Sequence, residues 1–370
     1  MKFRYKIMAA LLILGLAPAA VLTVMNVDRV YSLAEDSARA SISSVHDLKK
    51  SAIKDYFASL RSVSETMAVN PVVMSAVQEF TTASQDLNRR LQDDPENAGL
   101  KKRYKYQADN TPGTSKQDVA RWLDMDPVAR KMQQLYITDN KQKIGEKHLL
   151  QNAGDGSLYS NLHNWYHPYF TATLEEFGFY DIFLLDPVEG RIVYSVFKEL
   201  DYGTSFLAGP YKDSNFGRGV QAIIKGGKRD TVMMDFEPYE PSYGADAAFI
   251  LVPILEGKEL KGIIAFQAPV DNINALVNSE VAGYATAESL LVGSNQRLRA
   301  APVRSEELNV GSELTGEAVE TALTGDNSVD HMINHRGDEV IAAYGPVDIE
   351  GFEWVLISSA DASEALAAGK

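Results

Sequence analysis

The stretch FYDIFLLDPVEGRIVYSVFKELDYGTS, residues 179–205, decides the fold. Two apolar runs, rich in β-branched and aromatic residues, flank a five-residue turn containing Pro187 and Gly190, the pattern of a β-hairpin. Yet the hairpin also carries Asp181, Tyr194, Lys198 and Asp201. Alternation along the strands places Ile192, Tyr194, Val196 and Lys198 on one face, and Phe179, Asp181, Phe183 and Leu185 on one face of the neighbour. A charge among such residues is costly to bury unless it is paired or faces a cavity. Two readings follow: Lys198 forms an internal salt bridge with Asp181, Asp201 or Asp235, or these charges and the nearby aromatics line a pocket on the sheet.

Outward from the hairpin the same grammar continues. Strands are expected at 179–185, 191–198, 231–237, 247–253 and 262–268, with a helix near 215–225. A shorter version follows: 288–293, 297–300, a helix near 316–324 stopped by Gly325, then 328–334, 339–344 and 354–360. The closing segments AFILVPILEGKELKGIIAFQAPVDNINAL and VIAAYGPVDIEGFEWVLISSADASEAL align around Pro253 and Pro346, an internal repeat of about 93 residues. The expected fold class is α+β, two tandem modules, each an antiparallel sheet with helices on one face.

Upstream lie helices. Ile7–Val27 are 21 residues without a charge; at 1.5 Å per residue they span about 31 Å, the thickness of a bilayer core. Lys2, Arg4 and Lys6 precede the run, so residues 1–6 are expected in the cytoplasm and the body outside. A cleaved signal peptide is the rival, with Ala17-Pro18-Ala19 as its cleavage site, but apolar character continues past it to Val27. Ile42, Val45, Leu48, Ala52, Tyr56, Leu60, Val63 and Met67 then recur at about 3.6 residues, a long amphipathic helix. Residues 81–118 turn polar and read as a loop whose basic cluster Lys101, Lys102, Arg103 and Lys105 is a solvated face. Helix resumes near Lys116 and restarts at Pro127.

Composition narrows function. A formal charge of −14 disfavours nucleic acid as a partner. The absence of cysteine removes disulfides, thiolate metal sites and cysteine nucleophiles. No nucleophile elbow, phosphate-binding loop or dinucleotide fingerprint occurs, so the chain reads as a binder without a cofactor and not as an enzyme. His163 and His167 stand four apart, a spacing that can hold a metal. His331 and His335 repeat the gap in a strand context, and no third ligand is identifiable, so no metal site is assigned.

One crossing, a long helix and tandem five-stranded modules together resemble the double Cache (PAS-like) sensor regions of bacterial chemoreceptors, sensor histidine kinases and nucleotide cyclases. The residues that carry the likeness are Phe179-Tyr180-Asp181-Ile182-Phe183-Leu184, Gly190-Arg191-Ile192-Val193-Tyr194-Ser195, Phe197-Lys198-Glu199-x-Asp201, Gly209-Pro210-Tyr211, Asp235-Phe236-x-x-Tyr239-x-Pro241-Ser242 and Gly351-x-x-Trp354. The resemblance implies a helical region at 28–178, a membrane-distal ligand-binding module at 179–280 and a membrane-proximal module at 281–365. It also implies a bacterial inner-membrane protein with a periplasmic body that pairs as a homodimer along the long helix. Its expected role is the sensing region of a chemotaxis receptor of the methyl-accepting type. The sensor of a kinase or cyclase, or a non-signalling surface assembly protein, are the alternatives. The implied ligand site draws on Trp165, Tyr166, His167, Tyr169, Tyr180, Asp181, Phe183, Tyr194, Lys198, Asp201, Asp235 and Tyr239. Amino-acid-binding members carry Arg-x-Trp-Tyr, which here reads His163-Asn164-Trp165-Tyr166. Without that arginine the expected ligand stays open among amino acids, amines and organic acids.

Overall fold

The computed structural model describes residues 2–90, 97–280, 283–305 and 307–367. It divides into two compact units, one of Ile53–Ala275 with Asp348–Glu353, the other of Met1–Ala52, Leu276–Val347 and Trp354–Lys370.

In the larger unit β1 (Asp181–Leu185), β2 (Ile192–Ser195), β3 (Val232–Pro238), β4 (Asp246–Glu256) and β5 (Glu259–Gln267) form one antiparallel sheet in the order β2-β1-β5-β4-β3. Helices cover both of its faces, where the sequence suggested one. On the first, a Cβ on Gly219 of α7 (Asn215–Ile224) would touch Leu251 and Met234. On the second, a Cβ on Gly262 would strike Val77 of α2 (Pro71–Arg90). Both faces are apolar because β1, β4 and β5 read as near-continuous hydrophobic runs.

The described residues of the polar stretch 81–118 are mostly helical, not a loop. They hold the second half of α2 and all of α3 (Ala98–Asp109). In α2, Val73, Val77, Phe80, Ala83 and Leu87 are buried at helical spacing, a stripe masked in sequence by the Thr, Ser and Gln between them. Asn97 caps α3, its side chain accepting from the Leu100 N–H. Next come α4 (Lys116–Leu123), opened by the Ser115–Asp118 capping box, and α5 (Pro127–Gln133), capped by Asp126. Then α6 (Leu158–Phe177) packs against α2.

The first helix, α1, runs unbroken from Lys2 to Ala68. It contains the apolar run 7–27, most of whose side chains lie outside the described residues. Among the described residues no helix is long and apolar enough to cross a membrane.

In the smaller unit β6 (Glu288–Gly293), β7 (Ser328–Ile333), β8 (Glu339–Ile349) and β9 (Phe352–Asp361) order as β6-β9-β8-β7. The strand expected at 297–300 is reduced to isolated bridges, Val292 with Leu298 and Arg297 with Glu313. Placing that residual strand beside β6 reproduces the order of the larger sheet, so the sequence repeat is a repeat of topology. One face packs Leu290, Val292 and Ile357 against Val319 and Ala322 of α8 (Glu317–Ala322); the other packs Ile341, Ala343 and Ala360 against Ala38 and Ile42.

Candidate functional site

Register sorts the charged hairpin onto opposite faces of the sheet. Phe183 pairs with Ser195 and Leu184 with Tyr194, while Asp181 pairs with Gln267 of β5. Residues directly opposite in a ladder share a face, so Asp181, Phe183, Ser195 and Gln267 face α7, and Tyr194 faces α2 and α6.

On the α7 face three acids cluster. Asp181, 1% exposed, accepts from the backbone N–H groups of Ile182 at 2.7 Å, Val196 at 2.9 Å and Phe197 at 3.2 Å. It thereby caps the chain where β2 leaves the sheet. Asp201 is fully buried; its Oδ2 accepts from the Tyr239 hydroxyl at 2.6 Å, whereas its Oδ1 has no partner among the described residues. Half-buried Glu199 accepts from Tyr180 at 3.2 Å and from Ser242 at 2.8 Å. Gln267 donates weakly to Ser242, 3.5 Å away, and leaves its Oε1 buried and without a partner among the described residues. Phe183, Phe216, Phe249 and Tyr239 form the apolar wall, with ring centroids 4.4–6.4 Å apart.

Burial and mutual repulsion hold these acids toward their neutral forms. Burial and then the charges of Asp201 and Glu199 push Asp181 well above the usual carboxylate range, against its backbone hydrogen bonds. Burial lifts Asp201 to about 6, against the Tyr239 hydrogen bond. Burial and then Asp201 lift Glu199 to about 8.

At the edge of this cluster Arg103 of α3 donates from Nη2 to the Tyr243 hydroxyl at 3.1 Å and lies over the Tyr106 ring. Its Nε and Nη1 are buried without a partner among the described residues. Lys101, Lys102 and Lys105 of the same basic run are solvated or nearly so, as the sequence suggested.

The opposite face holds a packed polar core. His167 Nε2 donates to the His148 carbonyl, so its Nδ1 accepts from the Tyr194 hydroxyl at 2.6 Å. His163 donates from Nδ1 to the Gln151 carbonyl at 2.6 Å, and the two imidazoles lie tilted by 30° with centroids 4.5 Å apart. Burial and then the Lys198 charge hold both well below the ordinary histidine value, His167 at about 3. Among the described residues no three His, Cys, Asp or Glu side chains gather to hold a metal.

Lys198 does not sit in β2. Its φ of +58° takes it off the strand, with its N–H held by Ser195 Oγ at 3.0 Å. The side chain, 2% exposed, donates to the Val196 carbonyl at 2.8 Å and lies 5.8 Å and 5.9 Å from the Tyr194 and Tyr136 rings. The salt-bridge reading fails, since Lys198 pairs with none of Asp181, Asp201 and Asp235; the cation is sealed against a carbonyl and aromatic faces instead. Burial pulls its pKa down to about 7, with Asp181 opposing.

Of the twelve residues read from sequence, the fold thus gathers Asp181, Phe183, Asp201 and Tyr239, with Tyr180 at the rim stacked on Phe197. Tyr194, His167 and the Lys198 ammonium lie on the α2 and α6 side. There too Tyr166 donates to Glu79 and Tyr169 accepts from Asn70, while Trp165 is 78% exposed on α6. Asp235 sits at a register shift in β3, its carbonyl accepting from Asn215. Four residues of the site lie outside those twelve: Arg103, expected on a solvated basic face, is half-buried here; Glu199 and Ser242 stand in the motifs that carry the resemblance without being assigned to the site; and Gln267 left a signal only as the polar end of the apolar strand GIIAFQ.

No family model matches this chain, and no curated protein matches it. Solved structures with a similar course of the chain are sensor domains. The ligand-binding domain of the Pseudomonas aeruginosa amino acid chemoreceptor PctC, in complex with GABA, is 12% identical, covers 87% of this chain and 99% of its own, and has a TM-score of 0.43. The periplasmic sensory domain of the Campylobacter jejuni chemoreceptor Tlp1 is 18% identical, over 80% and 95%, at 0.37. The ligand-binding domain of the Pseudomonas fluorescens chemoreceptor CtaA, in complex with L-serine, is 11% identical, over 52% and 76%, at 0.36.

Proposed function

We propose that the chain is the extracytoplasmic sensing region of a transmembrane receptor of the chemotaxis type, a binder and not an enzyme. Its ligand carries an ammonium group and occupies the α7 face of the larger sheet. The observation that carries this reading is a pair of buried acceptor oxygens without donors among the described residues, Asp201 Oδ1 and Gln267 Oε1, beside two further carboxyls. An unsatisfied buried acceptor costs about 1–3 kcal/mol, which a ligand N–H group recovers. An ammonium also favours ionised acids, so at neutral pH binding draws a proton chiefly from Glu199, whose pKa is lifted to about 8. Arg103, with two guanidinium nitrogens unpartnered among the described residues, supplies the cation that position 163 lacks and meets a ligand carboxylate. The ligand class is therefore an amino acid.

Calorimetric titration of the full chain against amino acids, simple amines and organic acids tests this. Amino acids bind, at least one with micromolar affinity, and the affinity rises with pH between 5 and 8 as the acids ionise. Asp201→Asn weakens binding at least thirtyfold and Arg103→Ala at least tenfold. Binding that ignores both substitutions defeats the proposal.

Anchoring by residues 7–27 and pairing along α1 complete the reading. Val30, Tyr31, Leu33 and Leu48 are 53–64% exposed on α1, an apolar surface suited to a second copy of the helix. Because the chain has no cysteine, Leu48→Cys provides a clean probe. Oxidation of membranes containing this variant is expected to yield a covalent dimer, and a purely monomeric product argues against pairing there.

A further inference from the structure

The smaller unit contains a cavity of about 880 Å³ between the inner face of α1 and the β6–β9 edge of its sheet. Its size falls in the range of small-molecule sites. Ile42, Val45 and Ala360 form an apolar wall, and Ser289 and Ser358, joined by a hydrogen bond of 3.0 Å, line the sheet side. Two cations border it. Lys49 is 7% exposed, and its ammonium donates to the Val277 carbonyl at 2.6 Å, its only partner among the described residues. Arg304 donates to the Thr286 carbonyl at 2.6 Å and lies 3.8 Å from Asp361. Of the two acids bordering the cavity, Glu280 is exposed, and the Glu288 carboxylate is engaged by Arg336 at 2.6 Å.

A buried ammonium satisfied only by a neutral carbonyl keeps most of its desolvation cost, and burial lowers the Lys49 pKa accordingly. An anion beside it would remove that cost. Inorganic anions would leave the apolar wall unused, and neutral apolar molecules would leave the cation unpaired. We propose that this cavity is a second ligand site, specific for a small organic carboxylate with an apolar body, its carboxylate held by Lys49 and Arg304. This site is independent of the one on the larger sheet.

Titration of the full chain with hexanoate, benzoate and phenylacetate tests it, with inorganic phosphate and 1-hexanol as controls. At least one carboxylate is expected to bind with submillimolar affinity while both controls fail. Lys49→Met, which keeps the length and apolar stem of the side chain, weakens that binding about tenfold, and Arg304→Gln about fivefold. Asp201→Asn leaves it unchanged, so loss of the amino acid site and loss of this one are told apart. The proposal is overturned if none of the three carboxylates binds, if phosphate or hexanol binds as well as they do, or if Lys49→Met and Arg304→Gln both bind like the parent chain.

Discussion

Asp201 shows how one buried group ties stability to recognition. Its folded pKa of about 6 lies above the value near 3.9 of an unfolded aspartate. The folded state therefore binds the proton more tightly, and stability falls as pH rises from about 4 to 6. Roughly two units correspond to about 3 kcal/mol, so Asp201→Asn should stabilise the ligand-free chain by up to that amount at pH 7 and not at pH 4. Urea denaturation at the two pH values measures it. Lys198 acts with the opposite sign. Its folded pKa of about 7 lies below the unfolded value near 10.4, so its cost is complete below pH 7 and shrinks as pH rises toward 10. Lys198→Met should flatten the rise of stability over that interval in the same measurement. The charges were legible in the sequence, their consequences only partly so. Asp181 and Lys198 both find backbone partners rather than each other, because the chain turns at Lys198 with a positive φ. Nothing in the residue type announces that turn.

Among the elements, α2 is the one that local pattern missed and tertiary packing explains. Its buried stripe places Phe80 against Tyr159, Tyr166 and Tyr194, with centroids 5.2–5.8 Å apart. Phe80→Ala should cost about 3–5 kcal/mol, read as a lowered urea midpoint with an unchanged slope. Gly262 of β5 is the reciprocal device, since a Cβ there would lie 2.5 Å from Val77 and 2.9 Å from the Leu185 carbonyl oxygen. Gly262→Ala should cost about 2 kcal/mol by forcing α2 off the sheet. The strands themselves were readable to within a few residues, as long apolar runs ended by glycine and proline. The exception, 297–300, has the composition of a strand but makes only isolated bridges.

For the whole molecule, the division into two compact units predicts two unfolding events. Calorimetry should resolve a second transition, and Ile341→Ala, buried in the smaller unit, should lower only one of the two. The amino-acid sequence by itself determined the α+β class, the tandem repeat, the long first helix and the presence of buried charge, because these rest on periodicity and composition along the chain. Only the tertiary structure decided which charges share a face. That depends on strand register, where a shift of one residue carries every side chain to the other side. It also brought Arg103 beside Glu199 and Gln267 opposite Asp181, across gaps in the chain that no local pattern spans.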